Sequence, residues 1–129
     1  MNTTKAEKQE QALQRELEKM KGFVYLMRSG NGYYKIGVSK DVERRLNDLR
    51  RQFPISIEII HYFRSYNYIS AERFLHEKFS SKRLEYEWFE LSAKDVEWIT
   101  SLQDDDSRLE IPSLSETIKF YKRYLKYAG

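Results

Sequence analysis

The stretch GFVYLMRSGNGYYKIGVSKDVERR, from Gly22 to Arg45, decides the fold that this sequence predicts. Its first run, 23–27, is rich in β-branched and aromatic residues, which favour a buried strand. The run 29–32 holds two glycines and an asparagine, the residue types that tolerate positive φ angles in hairpin loops. Strand-like residues resume over 33–38, where Gly37 marks either a β-bulge or a close approach of another group. The stretch therefore predicts a β-hairpin.

A helix is predicted directly after the hairpin. Ser39 or Asp41 can cap its N-terminus, and Pro54 ends it because the residue before a proline avoids helical backbone angles. The apolar residues recur at i, i+4 and i+7, the spacing of one side of a helix; they are Val42, Leu46 and Leu49. We therefore expect this side to pack on the core, with Arg45 at its edge.

Beyond this stretch, the chain contains one more clear strand and further helices. The alternating residues of 55–63 predict a third strand that joins the hairpin. A helix over 71–79, capped by Ser70, follows it, and 87–91 is a short extended segment that packs its aromatic residues. The sequence thus predicts an α+β fold, in which helices flank a small three-stranded antiparallel sheet and extra helices lie at both ends.

These end helices divide the chain into three predicted regions. Residues 1–21 form a helical leader that Thr3 or Thr4 can cap, and its narrow apolar stripe suits either a frayed helix or a homodimer contact. Residues 22–103 form the main domain. Residues 104–129 form a linker and a last helix, which is either a surface helix docked on the core or a basic arm that contacts DNA backbone. Its basic residues are Lys119, Lys122, Arg123 and Lys126.

Composition excludes several classes of protein and points to an anionic partner. The 129 residues suffice for one core, and no apolar run approaches the roughly 18 residues of a membrane span. A polar start without an apolar signal region predicts a cytoplasmic protein. The absence of cysteine excludes disulfides and thiolate chemistry, and two histidines argue against a zinc cage. The net charge of +3 fits either an anionic partner or a solvated surface with a slight excess of lysine. Basic residues crowd the window 40–51, where Lys40, Arg44, Arg50 and Arg51 are candidate DNA contacts.

The remaining polar residues suit the cleavage of a phosphodiester. The sequence has no glycine-rich phosphate loop and no Gly-x-Ser-x-Gly nucleophile motif. It does hold tyrosine, lysine, arginine and glutamate near the hairpin, which can supply a base, cations for phosphate and a metal ligand. A single carboxylate can hold Mg²⁺, because that ion keeps several waters and takes its other ligands from substrate phosphate.

Two tripeptides and two later residues carry a resemblance to a known superfamily. Phe23-Val24-Tyr25 and Lys35-Ile36-Gly37 lie on the two hairpin strands, Arg45 follows at the start of the next helix, and Glu72 lies on a later helix. In this order they resemble the motifs of the GIY-YIG nuclease superfamily. The resemblance is closer to a phage and bacterial branch with a Lys-Ile-Gly second motif, whose helix Ala-Glu-x-x-Leu-His-x-x-Phe and Glu-Trp-Phe segment occur at 71–79 and 87–89. It covers 22–91.

The resemblance implies roles for the individual residues. Tyr25 would position or deprotonate the attacking water, Arg45 would brace the scissile phosphate, and Glu72 would hold Mg²⁺ or Mn²⁺. Lys35 departs from the family pattern, because it replaces the second motif's tyrosine and has Tyr34 just before it. Lys35 could serve as a base only if its pKa fell by about three units from about 10.4, and could serve more simply as a phosphate contact.

Other motif residues have more than one interpretation. His76 shares a helix face with Glu72 and is a metal-site partner, a proton carrier or a surface histidine. Glu87 and Trp88 are interpreted mainly as structural, with a role at the substrate edge as the alternative. The sequence thus predicts a small metal-dependent DNA endonuclease of a phage or mobile element. The alternatives are a DNA-binding module without catalysis and a protein-interaction accessory.

Overall fold

The computed structural model describes residues 4–128, and the side chains of 124–128 lie outside the described part. The cap predicted at Thr3 and the side chain of Lys126 therefore fall outside it. Helices α1 to α5 span Lys5–Met20, Val42–Gln52, Tyr68–Lys78, Ala93–Thr100 and Leu114–Ala128. Strands β1 to β4 span Gly22–Ser29, Tyr34–Ser39, Ile57–Ser65 and Trp88–Phe89.

The α+β fold is confirmed, and the antiparallel sheet has a strand more than the three predicted. Its order is β3-β1-β2-β4. The hairpin forms as expected, with Tyr25 opposite Gly37 and Met27 opposite Lys35, and β3 joins it along β1. The added strand β4 comes from the segment predicted only as extended, in which Trp88 pairs with Lys35 along the outer edge of β2.

The sheet separates two apolar clusters. On one face, β1 and β2 pack with helices α3 and α4 around Leu26, Ile36, Leu75 and Phe89, which are almost completely buried. On the other face, Tyr25 and Met27 pack under helix α2. The apolar side predicted for α2 is confirmed, because Val42, Leu46 and Leu49 are buried there, and Asp41 is its cap. This second face is the one that carries polar residues of the hairpin.

Two predicted boundaries are wrong for identifiable reasons. Helix α3 begins at Tyr68 rather than at Ala71, because the Asn67 side chain accepts a hydrogen bond from the Ser70 backbone N–H at 3.2 Å. Strand β3 begins at Ile57 and runs to Ser65, because pairing with β1 begins opposite Ser29.

Gly37 is explained by a close approach and not by a bulge. The Tyr25 ring and hydroxyl lie so near that a Cβ on residue 37 would overlap them. The irregularity in the sheet lies instead in the pairing of β1 with β3, between Leu26 and Met27. Gly37 therefore makes room for a tyrosine that belongs to the candidate site.

The end helices pack against each other and are tied to the domain. Helices α1 and α5 are in contact, Lys122 lies 3.8 Å from Glu10, and Thr4 caps α1. The linker is fixed to β3, since Asp104 accepts a hydrogen bond from the Arg64 backbone at 2.8 Å. Over residues 4–128, no helix combines the length and the apolar character that crossing a membrane requires.

Candidate active site

A cleft of about 770 Å³ opens on the α2 face of the sheet, beside the outer edge of β2. It is a meeting point of the hairpin, helix α2 and the turn that leads into β4. Its walls combine cations and aromatic rings with two glutamates, and they include Lys35, Arg45, Phe53, Arg83, Glu85, Tyr86, Glu87 and Trp88. Such a surface suits an anionic ligand that also carries flat apolar groups.

Arg45 lines the cleft, and it acts on Tyr25, which lies outside the lining. Tyr25 is only 2% exposed, and burial raises the pKa of its hydroxyl above 10.0. Arg45 opposes this effect through a side-chain hydrogen bond and its charge, while Glu87 and Glu72 reinforce it. The Tyr25 hydroxyl is therefore a neutral group at physiological pH, in the field of the Arg45 guanidinium.

Lys35 lies on the same sheet face as Tyr25, because alternate residues of a strand point to one side. Its side chain is 7% exposed, and the ammonium donates a hydrogen bond to Glu87 Oε2 at 2.7 Å. The ammonium also lies 5.7 Å from the centre of the Trp88 ring. A buried ammonium needs such a partner, since an unpaired buried charge is strongly unfavourable. Glu87 is thus the residue that balances the charge of the buried Lys35.

Among the described side chains, Glu72 is the one with a buried polar atom that has no hydrogen-bond partner. Burial and then the charge of Glu87 raise the pKa of its carboxyl from 4.5 to about 7, against the opposing effect of Lys35 and Arg83. Within residues 4–128, its Oε2 is buried and finds no hydrogen-bond partner. A buried oxygen without a donor is costly, so the carboxylate favours either a proton or a cation that the protein itself does not supply.

These residues fit a divalent cation of the Mg²⁺ type. The described part of the chain contains no group of three or more histidine or acidic residues that could form a closed metal cage. Mg²⁺ does not need one, because it is held by one or two carboxylates together with water and phosphate oxygens. Glu72 offers an open oxygen, and the charge of Glu87 is close enough to act on it.

Lys35 and Arg45 line the cleft, whereas Tyr25, Glu72, Tyr34 and His76 are not among its lining residues. Tyr34 and His76 also have surroundings of a different kind. Tyr34 is partly buried against the opposite core cluster, because it alternates with Lys35 along β2. His76 donates a hydrogen bond from Nε2 to the Ile36 carbonyl at 2.8 Å and packs edge-on against Phe89. In this position His76 joins helix α3 to strand β2, at a residue just past the two that pair with β4.

The four predicted DNA contacts also differ from one another. The Lys40 ammonium donates hydrogen bonds to carbonyls at the end of α1, including Glu18 O at 2.9 Å, so it joins α1 to the domain. Arg50 donates to the Ile57 carbonyl, and Arg51 pairs with Asp48. Arg44 is exposed, and no ion pair involves it in the part of the chain that the structure describes. Arg44 and the cleft cations are thus the better candidates.

Sequence reasoning missed Arg83 and interpreted Glu87 mainly as structural, with a role at the substrate edge as the alternative. Arg83 lines the cleft and acts on the charge of Glu72, although it lies in a turn that the sequence marks only as basic. Lys35 and Glu87 are 52 residues apart, and their contact depends on the pairing of β4 with β2. A strand of two residues leaves no periodic signal that could have shown this pairing.

Residues 22–102 match the family model of the T5orf172 domain. No curated protein and no solved structure matches the chain significantly.

Proposed function

Because the chain belongs to the T5orf172 domain family, and because two cations that line its cleft, Lys35 and Arg83, act on the charge of the Glu72 carboxylate, we propose that it is a small Mg²⁺-dependent DNA endonuclease. The proposal includes a site of the GIY-YIG type, built by Tyr25, Lys35, Arg45 and Glu72. Mn²⁺ would replace Mg²⁺ in such a site. The motifs suggest a phage or a mobile element as the biological setting.

The observation that carries this proposal is the unsatisfied Glu72 carboxylate. The fold places it near two cations, yet its Oε2 has no donor within residues 4–128, and its pKa is raised to about 7. A purely structural glutamate would be expected to form a hydrogen bond, because the large majority of buried side-chain polar atoms do. Glu72 would hold the cation, which would offset charge on the phosphate and activate water.

The other side chains of the site would bind the phosphate and position the attacking water. Arg45 presents a guanidinium that can bind two oxygens of a phosphate. The neutral Tyr25 hydroxyl would hold a water molecule in line with the phosphate, since its raised pKa disfavours a phenolate. An ammonium held by Glu87 has no lone pair with which to accept a proton, so Lys35 is assigned as a cation that faces phosphate and not as the base.

A DNA-binding module without catalysis is the second candidate, and one contact favours it. The Lys35–Glu87 ion pair occupies the place of the second motif's tyrosine and removes a hydroxyl from the site. Such a module would bind DNA through the same cations. Its affinity would fall with salt, by a slope of about −0.9 per phosphate contact on duplex DNA.

Cleavage of a supercoiled plasmid tests the proposal. Wild type is compared in Mg²⁺, in Mn²⁺ and in EDTA with Glu72→Gln and Arg45→Ala. The matched control is Glu77→Gln, an exposed glutamate on the same helix. We expect nicked or linear DNA only with metal, a loss of roughly 100-fold in rate for each site variant, and a rate within about twofold of wild type for the control.

Two results decide against parts of the proposal. Wild type that leaves supercoiled, linear and single-stranded DNA uncut in both metals would overturn the endonuclease, and salt-dependent DNA binding would then support the second candidate. Cleavage by Glu72→Gln at the wild-type rate would show that the cation is held elsewhere.

A further inference from the structure

Tyr86 is an exposed aromatic residue on the wall of the cleft. Its exposed fraction is 80%, the highest among the large exposed hydrophobic residues of the described part of the chain. It lies between the cleft residues Arg83 and Trp88 in the turn before β4. A ring in this position contributes little to the core, so the packing of the protein gives no reason for a tyrosine here.

The backbone of Tyr86 is strained as well. Its φ angle is 57°, in the left-handed region, where a residue with a side chain is disfavoured by about 1–2 kcal/mol. Two other non-glycine residues in the described chain share this feature, Asp105 and Glu110. Asp105 is of a type that tolerates this region, and its carboxylate accepts a hydrogen bond from the Tyr66 backbone. Glu110 closes a short 3-10 turn. Of these three residues, Tyr86 is the one with an aromatic side chain.

The surrounding turn holds this conformation in place. The Leu84 N–H donates to the Trp88 carbonyl at 2.8 Å, and the Trp88 N–H donates to the Glu85 carbonyl at 3.1 Å. The Arg83 side chain donates to the Tyr86 carbonyl. The turn is thus closed by its own hydrogen bonds, and the ring is presented at the rim of the cleft.

We propose that the Tyr86 ring is a stacking platform for an unstacked nucleobase of the DNA strand whose phosphate lies in the cleft. This inference rests on the proposed function, because it takes DNA as the ligand. Strain and exposure together mark functional positions. An aromatic face beside a groove of cations is the combination that binds single-stranded nucleic acid, since the base stacks while the cations hold the phosphates.

Stacking on Tyr86 would favour one class of DNA substrate within the proposed function. A base that stacks on Tyr86 must leave its own helical stack, which is favourable at a gap, a flap or in a single strand and unfavourable in an intact duplex. Trp88 also lines the cleft, but it is partly buried and packs edge-on against Phe53, with 5.8 Å between the ring centres. Its ring is therefore less accessible to a base than that of Tyr86. The protein is therefore expected to bind single-stranded or gapped DNA more tightly than intact duplex.

Fluorescence anisotropy with labelled oligonucleotides tests this inference, in Ca²⁺ to suppress cleavage. Single-stranded, gapped and intact duplex DNA are titrated with wild type, Tyr86→Ala, Tyr86→Phe and Arg45→Ala. Tyr62→Ala is the matched control, because Tyr62 is 52% exposed and lines a different depression. We expect Tyr86→Ala to weaken single-strand binding about 10-fold, with Tyr86→Phe and the control within about twofold of wild type.

The salt dependence separates stacking from charge. Tyr86→Ala should leave the slope of log K against log salt unchanged, whereas Arg45→Ala should reduce it by about 0.7 on a single strand. Tyr86→Gly removes the ring and relieves the left-handed backbone, so it should fold at least as stably as Tyr86→Ala and bind as weakly. Wild-type affinity in Tyr86→Gly would assign the loss in Tyr86→Ala to the backbone and overturn the platform.

The failures of the two proposals are distinguishable. If Tyr86→Ala binds like wild type while Arg45→Ala binds weakly, the platform is overturned and DNA recognition by the cleft remains. If wild type binds no form of DNA, both are overturned. If Tyr86→Ala loses binding and wild type cuts no DNA in Mg²⁺ or Mn²⁺, the platform is supported and the endonuclease is overturned.

Discussion

Glu72 and Asp106 are two shielded carboxylates with opposite hydrogen bonding and opposite shifts in pKa. Asp106 is 9% exposed, and its oxygens accept hydrogen bonds from the backbone N–H groups of Gln103 and Arg108 and from the Arg108 guanidinium, at 2.9–3.0 Å. The Arg108 hydrogen bonds hold its pKa well below 3.8. Glu72 has a buried oxygen without a partner in the described chain and a pKa of about 7.

The difference shows that this fold does supply hydrogen-bond donors to a shielded carboxylate, as it does at Asp106. Asp106 closes the linker after α4, and its donors come from residues within three positions of it. Glu72 has cations nearby, but Lys35 is paired with Glu87 instead. Hydrogen-bonded carboxylates stabilise the fold, whereas a buried carboxylate oxygen without a donor is unfavourable. We therefore assign Asp106 to stability, and Glu72 is the metal ligand in our proposal.

The largest expected effect on stability is at Asp106. Asp106→Asn places an amide N–H₂ against donors that now meet an oxygen, and it removes the charge that the Arg108 guanidinium faces. We expect a loss of about 2 kcal/mol in the free energy of unfolding at pH 7, measured by urea denaturation. Because the folded pKa is lowered, this contribution is present above about pH 4 and is lost as the pH falls through the folded pKa.

Two results of the urea experiment would contradict the role given to Asp106. If Asp106→Asn unfolds at the wild-type urea concentration at pH 7, the hydrogen bonds around Asp106 contribute nothing and the contrast with Glu72 disappears. A difference that persists unchanged at pH 2 would point to shape rather than charge.

A smaller effect of opposite sign is expected at Glu72. Its folded pKa of about 7 lies above the ordinary value of 4.5, so the fold is favoured while Glu72 is protonated, and this stability is lost as the pH rises from about 4.5 through 7. Glu72→Gln should remove this dependence. Without metal we expect the variant to be more stable than wild type at pH 8 by about 1 kcal/mol, a figure reduced for partial exposure to solvent.

Thermal unfolding at pH 5 and pH 8 in EDTA measures this difference, with Glu77→Gln as the exposed control. Equal stability of wild type and Glu72→Gln at both pH values would mean that the ionised carboxylate is well solvated. A variant that is less stable than wild type at pH 8 would place Glu72 among the structural carboxylates with Asp106.

Much of the fold follows from local sequence patterns. The hairpin is marked by its turn residues and the apolar side of α2 by its spacing, so the meeting of Tyr25 with Arg45 across β1 and α2 could be expected. The α3 boundary could not, because Asn67 and Ser70 are both good caps and only the packing of Tyr68 decides between them. The Tyr68 ring packs so close to Gly22 that a Cβ on residue 22 would overlap it.

The site was harder to predict where it depends on pairing across long separations. Strand alternation places Tyr34 and Lys35 on opposite faces, and that rule alone would have separated them. The partners of Lys35 and His76 could not be derived, because they depend on where β4 ends along β2. Glu87, the residue before β4, accepts a hydrogen bond from the Lys35 ammonium. His76 donates a hydrogen bond to the carbonyl of Ile36, the next residue along β2.

The most direct test of the central claim is the position of Mn²⁺ in a crystal of the wild-type protein soaked with MnCl₂. The account predicts an anomalous density peak coordinated by a carboxylate oxygen of Glu72, at about 2.1 Å as for Mg²⁺, and its absence from crystals of Glu72→Gln. An ordered Glu72 side chain with no manganese, or manganese bound equally in the variant, would contradict the claim that this open carboxylate is the metal ligand.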